Sequence, residues 1–313
     1  MSASPPAAAI AIGTRGSPLA LAQARLVAAL LEQSWPEVAV SMRIVETRGD
    51  RTQATGEPLP EIGGKGLFTA ELEAALAAHE IDVAVHSLKD LPTADSPGLV
   101  VGAVCARDDV RDCLVSRDGA VLAELASGAT IGTSSLRRAA QLRALRPDLV
   151  VEPVRGNVGT RVRKVRDRVV DAVVVAAAGV RRLGFEGEVS EWLGLDVMLP
   201  APGQGALAVQ CRAEDDAVLA ALAPLDDAAT RAATSAERTF LAALAAGCSA
   251  PVAAWARQDR ARELVLTGLV ASPDGQRVVR VEGRGADPEE LGARLAGEAL
   301  VAGAAEILGA TGG

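Results

Sequence analysis

Three stretches in the middle of the chain set arginine beside glycine, serine, threonine or asparagine. They read GTSSLRR from Gly132, VRGNVGTR from Val154 and AAAGVRRLG from Ala176. A guanidinium grips a carboxylate or phosphate through two parallel hydrogen bonds, and several together hold a polyanion that one cannot. Small residues let the backbone come close, and a helix start adds N–H groups that favour negative charge. From Arg137 to Arg182 there are twelve basic and four acidic residues, although the whole chain has 32 basic against 40 acidic. A cationic segment in an acidic chain points to anion binding; the competing reading is a solvated helix face.

A second cluster follows the alternating run IDVAV, which leads directly into HSLKDLP. Open α/β sheets hold their ligands just past the C-terminal ends of strands, and His86, Lys89 and Asp90 stand there. A carboxylate in that place can balance a developing cation or pass a proton to a leaving group. The four cysteines, Cys105, Cys113, Cys211 and Cys248, show no CxxC spacing, and only His79 and His86 could join them. No metal site is expected, and reduced thiols in a cytoplasmic protein are the simpler reading. Cys248 lies in a Gly-Cys-Ser turn, yet spacing alone does not distinguish it from the other three. No GxxxxGK[ST] phosphate loop is present, and IGGKGLF follows a loop rather than a strand, a weak nucleotide signal.

The elements that must position these groups follow from periodicity. Ala8–Thr14 reads as a buried strand, and Ser17 and Pro18 as the cap and first residue of a helix to Ser34. That helix has Leu19, Ala22, Leu26 and Leu30 on one stripe, and Val38, Val40, Met42 and Ile44 alternate in the next strand. Arg48–Gly66 holds five glycines and two prolines, the composition of a lid or binding loop. A helix from Leu67 to Glu80 and the IDVAV strand complete the first pattern. The pattern then repeats: strands near Cys113, Thr130 and Val150, a helix from Ser135, and a helix capped by Asn157 with Val158, Val162, Val165 and Val169 facing a core. Asp171–Ala177 is a buried strand, the turn PAPGQG is hinge-like, and Ala206–Arg212 is another strand. The last third departs from this alternation, with a long helix from Asp227, three strands between Val252 and Glu282, and a closing helix over 288–308.

Length and composition are those of a soluble globular protein of two or three domains. Neither a signal peptide nor a membrane span is expected. With no tyrosine and three residues each of Phe and Trp, the basic segment lacks the aromatic platforms of single-strand nucleic-acid binding.

Taken together, these motifs resemble the hydroxymethylbilane synthase (porphobilinogen deaminase) family. TRGSPLALAQA, TRGD, GGKGLF, DVAVHSLKDLP, IGTSSLRR, RGNVGTR, RRLG, PGQGALAVQCR and GCSAP occur in family order over nearly the whole chain. The resemblance implies two periplasmic-binding-protein-like α/β domains plus a small C-terminal α+β domain with an antiparallel sheet. The expected division is 1–105 with 202–224, then 106–201, then 225–313. It implies head-to-tail condensation of four porphobilinogen molecules with loss of ammonia, primed by a dipyrromethane bonded through a thioether to Cys248. Asp90 matches the catalytic aspartate. Lys89, Ser134, Ser135, Arg137, Arg138 and Gly156 match cofactor contacts; Arg15, Ser17, Arg155, Arg161, Arg182 and Gln204 match substrate contacts. A monomer with no nucleic-acid or membrane partner is expected. One departure is Ala246, where the family commonly has glycine; the added methyl narrows the room beside the thioether. The rival from another class is a non-catalytic anion-binding protein, which requires neither Asp90, Cys248 nor a third domain.

Overall fold

The computed structural model describes residues 8–47, 69–245 and 250–309, so the predicted loop over 48–66 lies outside the described residues. In chain order come β1 (Ala9–Thr14), α1 (Pro18–Ser34), β2 (Ala39–Ile44), α2 (Ala70–Ala77), β3 (Val83–Ser87) and β4 (Leu99–Val104). Next are β5 (Asp112–Ser116), β6 (Thr130–Gly132), α3 (Leu136–Leu145), β7 (Val150–Glu152), α4 (Val158–Arg166), β8 (Ala172–Ala176), α5 (Ala177–Arg182) and β9 (Glu191–Trp192). The chain continues through β10 (Leu207–Arg212), α6 (Asp216–Leu222), α7 (Ala228–Ala243), β11 (Val252–Gln258), β12 (Leu264–Ala271), β13 (Val278–Gly285), α8 (Pro288–Ala299) and α9 (Ala305–Gly309).

Two compact units divide the chain: Met1–Arg107 with Ala206–Arg231, and Asp108–Gly205 with Ala232–Gly313. The first holds a five-stranded sheet in the order β2-β1-β3-β10-β4. Its β1 runs parallel to both neighbours, and β10 returns antiparallel between β3 and β4. The second unit repeats this plan as β7-β6-β8-β5-β9, with β6 parallel to its neighbours and β5 antiparallel. It also carries the antiparallel sheet β11-β12-β13. The shared plan sends the C-terminal ends of three parallel strands to the same edge of each α/β sheet, which is where the predicted site residues fall.

Helix α1 has the predicted ends, but a different face is buried. Ser17 caps it, accepting from the Ala20 N–H at 3.3 Å, and the buried residues include Ala20, Ala24, Val27 and Leu31. The expected stripe is one residue out of phase, and Leu26 is exposed. An alanine-rich helix has two apolar faces, so its rotation is set at its start. There Thr14 Oγ1 donates to the Ala20 carbonyl at 3.1 Å, turning Ala20 inward. Burial at 20, 24, 27 and 31 follows from the 3.6-residue period.

Strand β2 is an edge strand, and beyond Val38 and Val40 its Met42 and Ile44 stand exposed rather than half-buried. In α4, Val162 and Val165 face the core as expected, but Val169 is 61% exposed. The helix stops at Arg166, and Arg168 at φ 59° turns the chain so that Val170 is buried instead. The closing helix is likewise broken at Gly303, whose φ is 109°.

Within the second unit the β12–β13 turn lies against α3. Arg143 donates to the Pro273 carbonyl at 2.6 Å. Gly275 has φ 75°, and a Cβ there would lie 2.5 Å from the Ala144 nitrogen, so only glycine fits. The antiparallel sheet therefore buttresses the helix whose first turn carries Arg137 and Arg138.

Candidate active site

In the first unit, β1 ends at Thr14 and β3 at Ser87, side by side in the sheet. After β3 the residues Leu88–Asp90 form a single 3-10 turn, closed by the Leu91 N–H on the Leu88 carbonyl at 3.2 Å. Leu88 and Leu91 are buried and anchor that turn, while Lys89 is half-buried and Asp90 exposed. Alternation of anchors and polar groups thus presents the carboxylate at the strand end. A cleft there is lined by Arg15, Ser17, Gln23, Thr69, His86 and Asp90, among others. Gln23 donates to Ser87 Oγ at 2.7 Å and fixes the end of β3 against α1. His86 is only 6% exposed, and its pKa is lowered to about 4 by burial, with the charge of Arg15 acting the same way and Gln210 opposing. The imidazole is therefore neutral at ordinary pH.

The predicted residues of the second unit surround the ends of β6 and β7. Ser135 caps α3, accepting from the Arg138 N–H at 3.4 Å, and Ser134 Oγ donates to the Val154 carbonyl at 2.8 Å. Arg155 is exposed just after β7. Gly156 follows at φ 113°, where a Cβ would meet Thr160 at 2.7 Å. Its carbonyl accepts from Arg161 Nε at 2.9 Å. Burial, and then the charge of Arg138, draw the Arg161 pKa down to about 10. No carboxylate among the described residues pairs with Arg161. A half-buried cation pressed by a second cation is a place an anion would stabilise.

Arg137 and Arg138 stand differently. Both are buried, and both close on Asp112, which is 0% exposed: Arg137 Nη1 reaches Oδ2 at 2.8 Å and Arg138 Nη2 reaches Oδ1 at 2.8 Å. Gln204 completes the cluster, donating to Asp112 Oδ1 at 2.9 Å and to the Val110 carbonyl at 2.8 Å. The Nε of each arginine is buried without a partner among the described residues. Arg182 donates to the Gly205 carbonyl at 2.7 Å and lies 3.6 Å from Asp108. The structure therefore brings Arg15, Ser17 and Asp90 into one cleft and gathers Arg137, Arg138 and Gln204 on a carboxylate of the chain itself. Cys248 and Ala246 lie outside the described residues. Asp112, Gln23 and Thr69 were not among the residues expected here, because single polar residues inside apolar runs carry no motif.

Burial alone would push the Asp112 carboxyl up, but the charges of Arg137 and Arg138 hold it far below the ordinary carboxylate range. A depressed folded-state pKa contributes stability that is complete above the unfolded value of about 3.8 and disappears as pH falls towards the folded value. Asp112→Asn leaves two buried guanidiniums without their counter-charge and should cost about 3–5 kcal/mol. In urea titrations the gap from the parent should stay level from neutral pH down to about 4 and narrow only in stronger acid.

Comparison with known proteins identifies the family. A family model described as "Porphobilinogen deaminase, dipyromethane cofactor binding domain" matches residues 10–220, and one described as "Porphobilinogen deaminase, C-terminal domain" matches 232–301. The chain belongs to the porphobilinogen deaminase family. It is 51% identical over 301 residues to the porphobilinogen deaminase of Desulforudis audaxviator, covering 96% of each chain. The Sorangium cellulosum enzyme is 50% identical over 295 residues, covering 92% of this chain and 97% of its own. The Brevibacillus brevis enzyme is 47% identical over 297 residues, covering 95% and 96%. Among solved structures, the BvgS VFT2 domain of Bordetella pertussis aligns at TM-score 0.42 and 17% identity, covering 69% of this chain and 85% of that one. Membership makes the chain an enzyme of tetrapyrrole biosynthesis, and its fold is of mixed α/β class with a small antiparallel C-terminal sheet.

Proposed function

We propose that in this hydroxymethylbilane synthase Asp90 is the catalytic carboxylate, and that Cys248 bears the dipyrromethane thioether. The observation that carries the first assignment is the cleft itself, where Asp90 shares a wall with Arg15 and Ser17 at the ends of β3 and β1. Porphobilinogen brings an acetate and a propionate. Arg15 supplies the cation for a carboxylate, and Ser17 stands at a helix N-terminus whose field favours the same charge. Loss of ammonia from the substrate leaves a pyrrole-stabilised cation, and the Asp90 carboxylate beside it offsets that charge.

The chemistry of the donor set suits the acidic dipyrromethane. Among the described residues Arg161, half-buried, has only the Gly156 carbonyl as a hydrogen-bond partner, and Arg155 is exposed at the start of the same loop. Together with Ser134, Ser135 and the Nε atoms of Arg137 and Arg138, they would hold its carboxylates. When bound, that group supplies the pyrrole end to which new rings are joined. Cys105, Cys113 and Cys211 are buried, and burial pushes the Cys113 thiol up to about 12 and that of Cys211 up to about 11. Such thiols are poor nucleophiles, which supports Cys248 for the linkage. Arg182 and Gln204 sit beside the Gly205 turn and are assigned to later rings of the lengthening chain. The expected division into 1–105 with 202–224, 106–201 and 225–313 is supported by three separate sheets. We read the protein as a cytoplasmic monomer without nucleic-acid or membrane partners. The free thiols of Cys113 and Cys211 support the compartment, and the formal net charge of −8 weighs against nucleic acid.

The test is intact-protein mass spectrometry joined to turnover. The purified chain should carry the mass of two linked pyrroles and release one ammonia for each porphobilinogen consumed. An unmodified protein of full activity would overturn the cofactor assignment.

A further inference from the structure

Among the described residues the Arg137 side chain makes two hydrogen bonds, and both use one nitrogen. Nη1 donates to Asp112 Oδ2 at 2.8 Å and to the Leu199 carbonyl at 2.7 Å, so both of its N–H groups are spent. Nε and Nη2 share the opposite edge of the guanidinium and have no partner among the described residues, although the residue is only 5% exposed. Two parallel N–H groups on one edge match the two oxygens of a carboxylate. The direction of that edge is set by the two acceptors on Nη1, which hold a planar group against rotation.

One of those acceptors is a backbone carbonyl outside any strand or helix, and it is held in turn by Gln141. Gln141 stands one helical turn beyond Arg137 on α3 and is buried. Its Oε1 accepts from the Leu199 N–H at 2.8 Å. Its Nε2 donates to the Leu199 carbonyl at 3.0 Å and to the Arg137 carbonyl at 3.3 Å. These partners fix the orientation of the amide, since a backbone N–H requires the oxygen and two carbonyls require the nitrogen. The Leu199 carbonyl thus receives Gln141 Nε2 and Arg137 Nη1, one for each lone pair. Beyond Leu199 the same segment is tied to β11 and α7. The Pro200 carbonyl accepts from the Ala254 N–H at 3.1 Å, and the Gly203 N–H donates to Glu237 Oε2 at 2.7 Å.

We propose that Gln141 is a positioning residue for Arg137: by clamping Leu199 it fixes the carbonyl that aims the Nε–Nη2 edge at a carboxylate of the dipyrromethane. This rests on the reading of Arg137 as a primer contact. Gln141 is neutral and acts on the anion only through Leu199 and Arg137, so its loss leaves the charges of Arg137, Arg138 and Asp112 as they are. Any effect on primer binding is then one of alignment rather than of charge.

The experiment follows the covalent primer by intact mass as unprimed full-length chain is incubated with increasing porphobilinogen. Gln141→Met keeps the side-chain volume and removes the hydrogen bonds. The porphobilinogen concentration for half-maximal mass addition should rise about fivefold to tenfold, the partial loss of one charge-assisted contact. Leu295→Ala truncates the core between α8 and the antiparallel sheet. It should lower the urea midpoint at least as far, yet leave loading within about twofold of the parent. In an Arg137→Lys background, Gln141→Met should add less than about twofold, because the edge it aims is gone. Unchanged loading in Gln141→Met, an equal rise in Leu295→Ala, or full additivity with Arg137→Lys overturns the proposal. If Gln141→Met does not fold, Gln141→Asn replaces it, its shorter amide being unable to reach both Leu199 groups. If Arg137→Lys takes up no primer, the same cycle is read by calorimetric titration of porphobilinogen into Cys248→Ser chains. Arg137→Lys alone separates the two readings. Parental loading there removes the primer contact itself, whereas weakened loading beside a parental Gln141→Met removes only the role of Gln141.

Discussion

Asp90→Asn should lower kcat by about 10²–10⁴-fold while KM for porphobilinogen changes by less than about threefold. Asparagine keeps the shape of aspartate and can still accept a hydrogen bond from a pyrrole nitrogen, so ground-state contacts survive. What it lacks is the full negative charge that offsets the cation created as ammonia leaves, an interaction realised on the way to the transition state. The fold should not register the change. Asp90 is exposed, and the turn that carries it is held by buried Leu88 and Leu91 and by the Leu88 N–H on the Ala206 carbonyl at 3.0 Å. Stability should therefore stay within about 0.5 kcal/mol of the parent. Steady-state kinetics with the primer content checked by mass distinguishes the outcomes. A matched loss of binding would make Asp90 a contact residue, and retained turnover would place the chemistry on another group.

The position of Asp90 was legible because strand alternation in IDVAV ends where the polar residues begin, and the same logic located Ser17, Ser135 and Asn157 at helix starts. Each of these signals is local. What escaped depends on three-dimensional choice. The buried face of α1 is decided by the Thr14 hydroxyl on the Ala20 carbonyl, a contact no periodicity count contains. Met42 and Ile44 alternate like core residues, yet β2 pairs on one side only and leaves them exposed. Asp112 is a single acidic residue beside an apolar run until β5 and α3 fold together. Only then does it meet Arg137 and Arg138, two cations that the sequence pattern offered to external anions alone. A charge count therefore described the stretch from Arg137 to Arg182 as uniform, whereas the fold separates its members. Two share the buried Asp112 carboxylate, and Arg146 is paired with Asp148. Arg161 remains half-buried with no carboxylate opposite it among the described residues.

Cys248→Ser should abolish both the added mass and turnover. A serine hydroxyl is barely ionised near neutral pH and forms no thioether, so the primer has no attachment point. No other thiol can take over. At pH 7 a thiol at about 12 is ionised to roughly one part in 10⁵ and one at about 11 to roughly one part in 10⁴. Both are also closed off, with Cys113 and Cys211 at 0% exposure, and Cys105 is buried in the same core as Cys211. Cys211→Ser consequently serves as the matched control: it removes a thiol from the first unit, and its protein should retain the full mass addition and turnover. The pair of variants separates loss of a nucleophile from loss of any cysteine. Mass addition persisting in Cys248→Ser would move the linkage to a different side chain, and loss of the addition in both would trace it to folding rather than to the sulfur of Cys248.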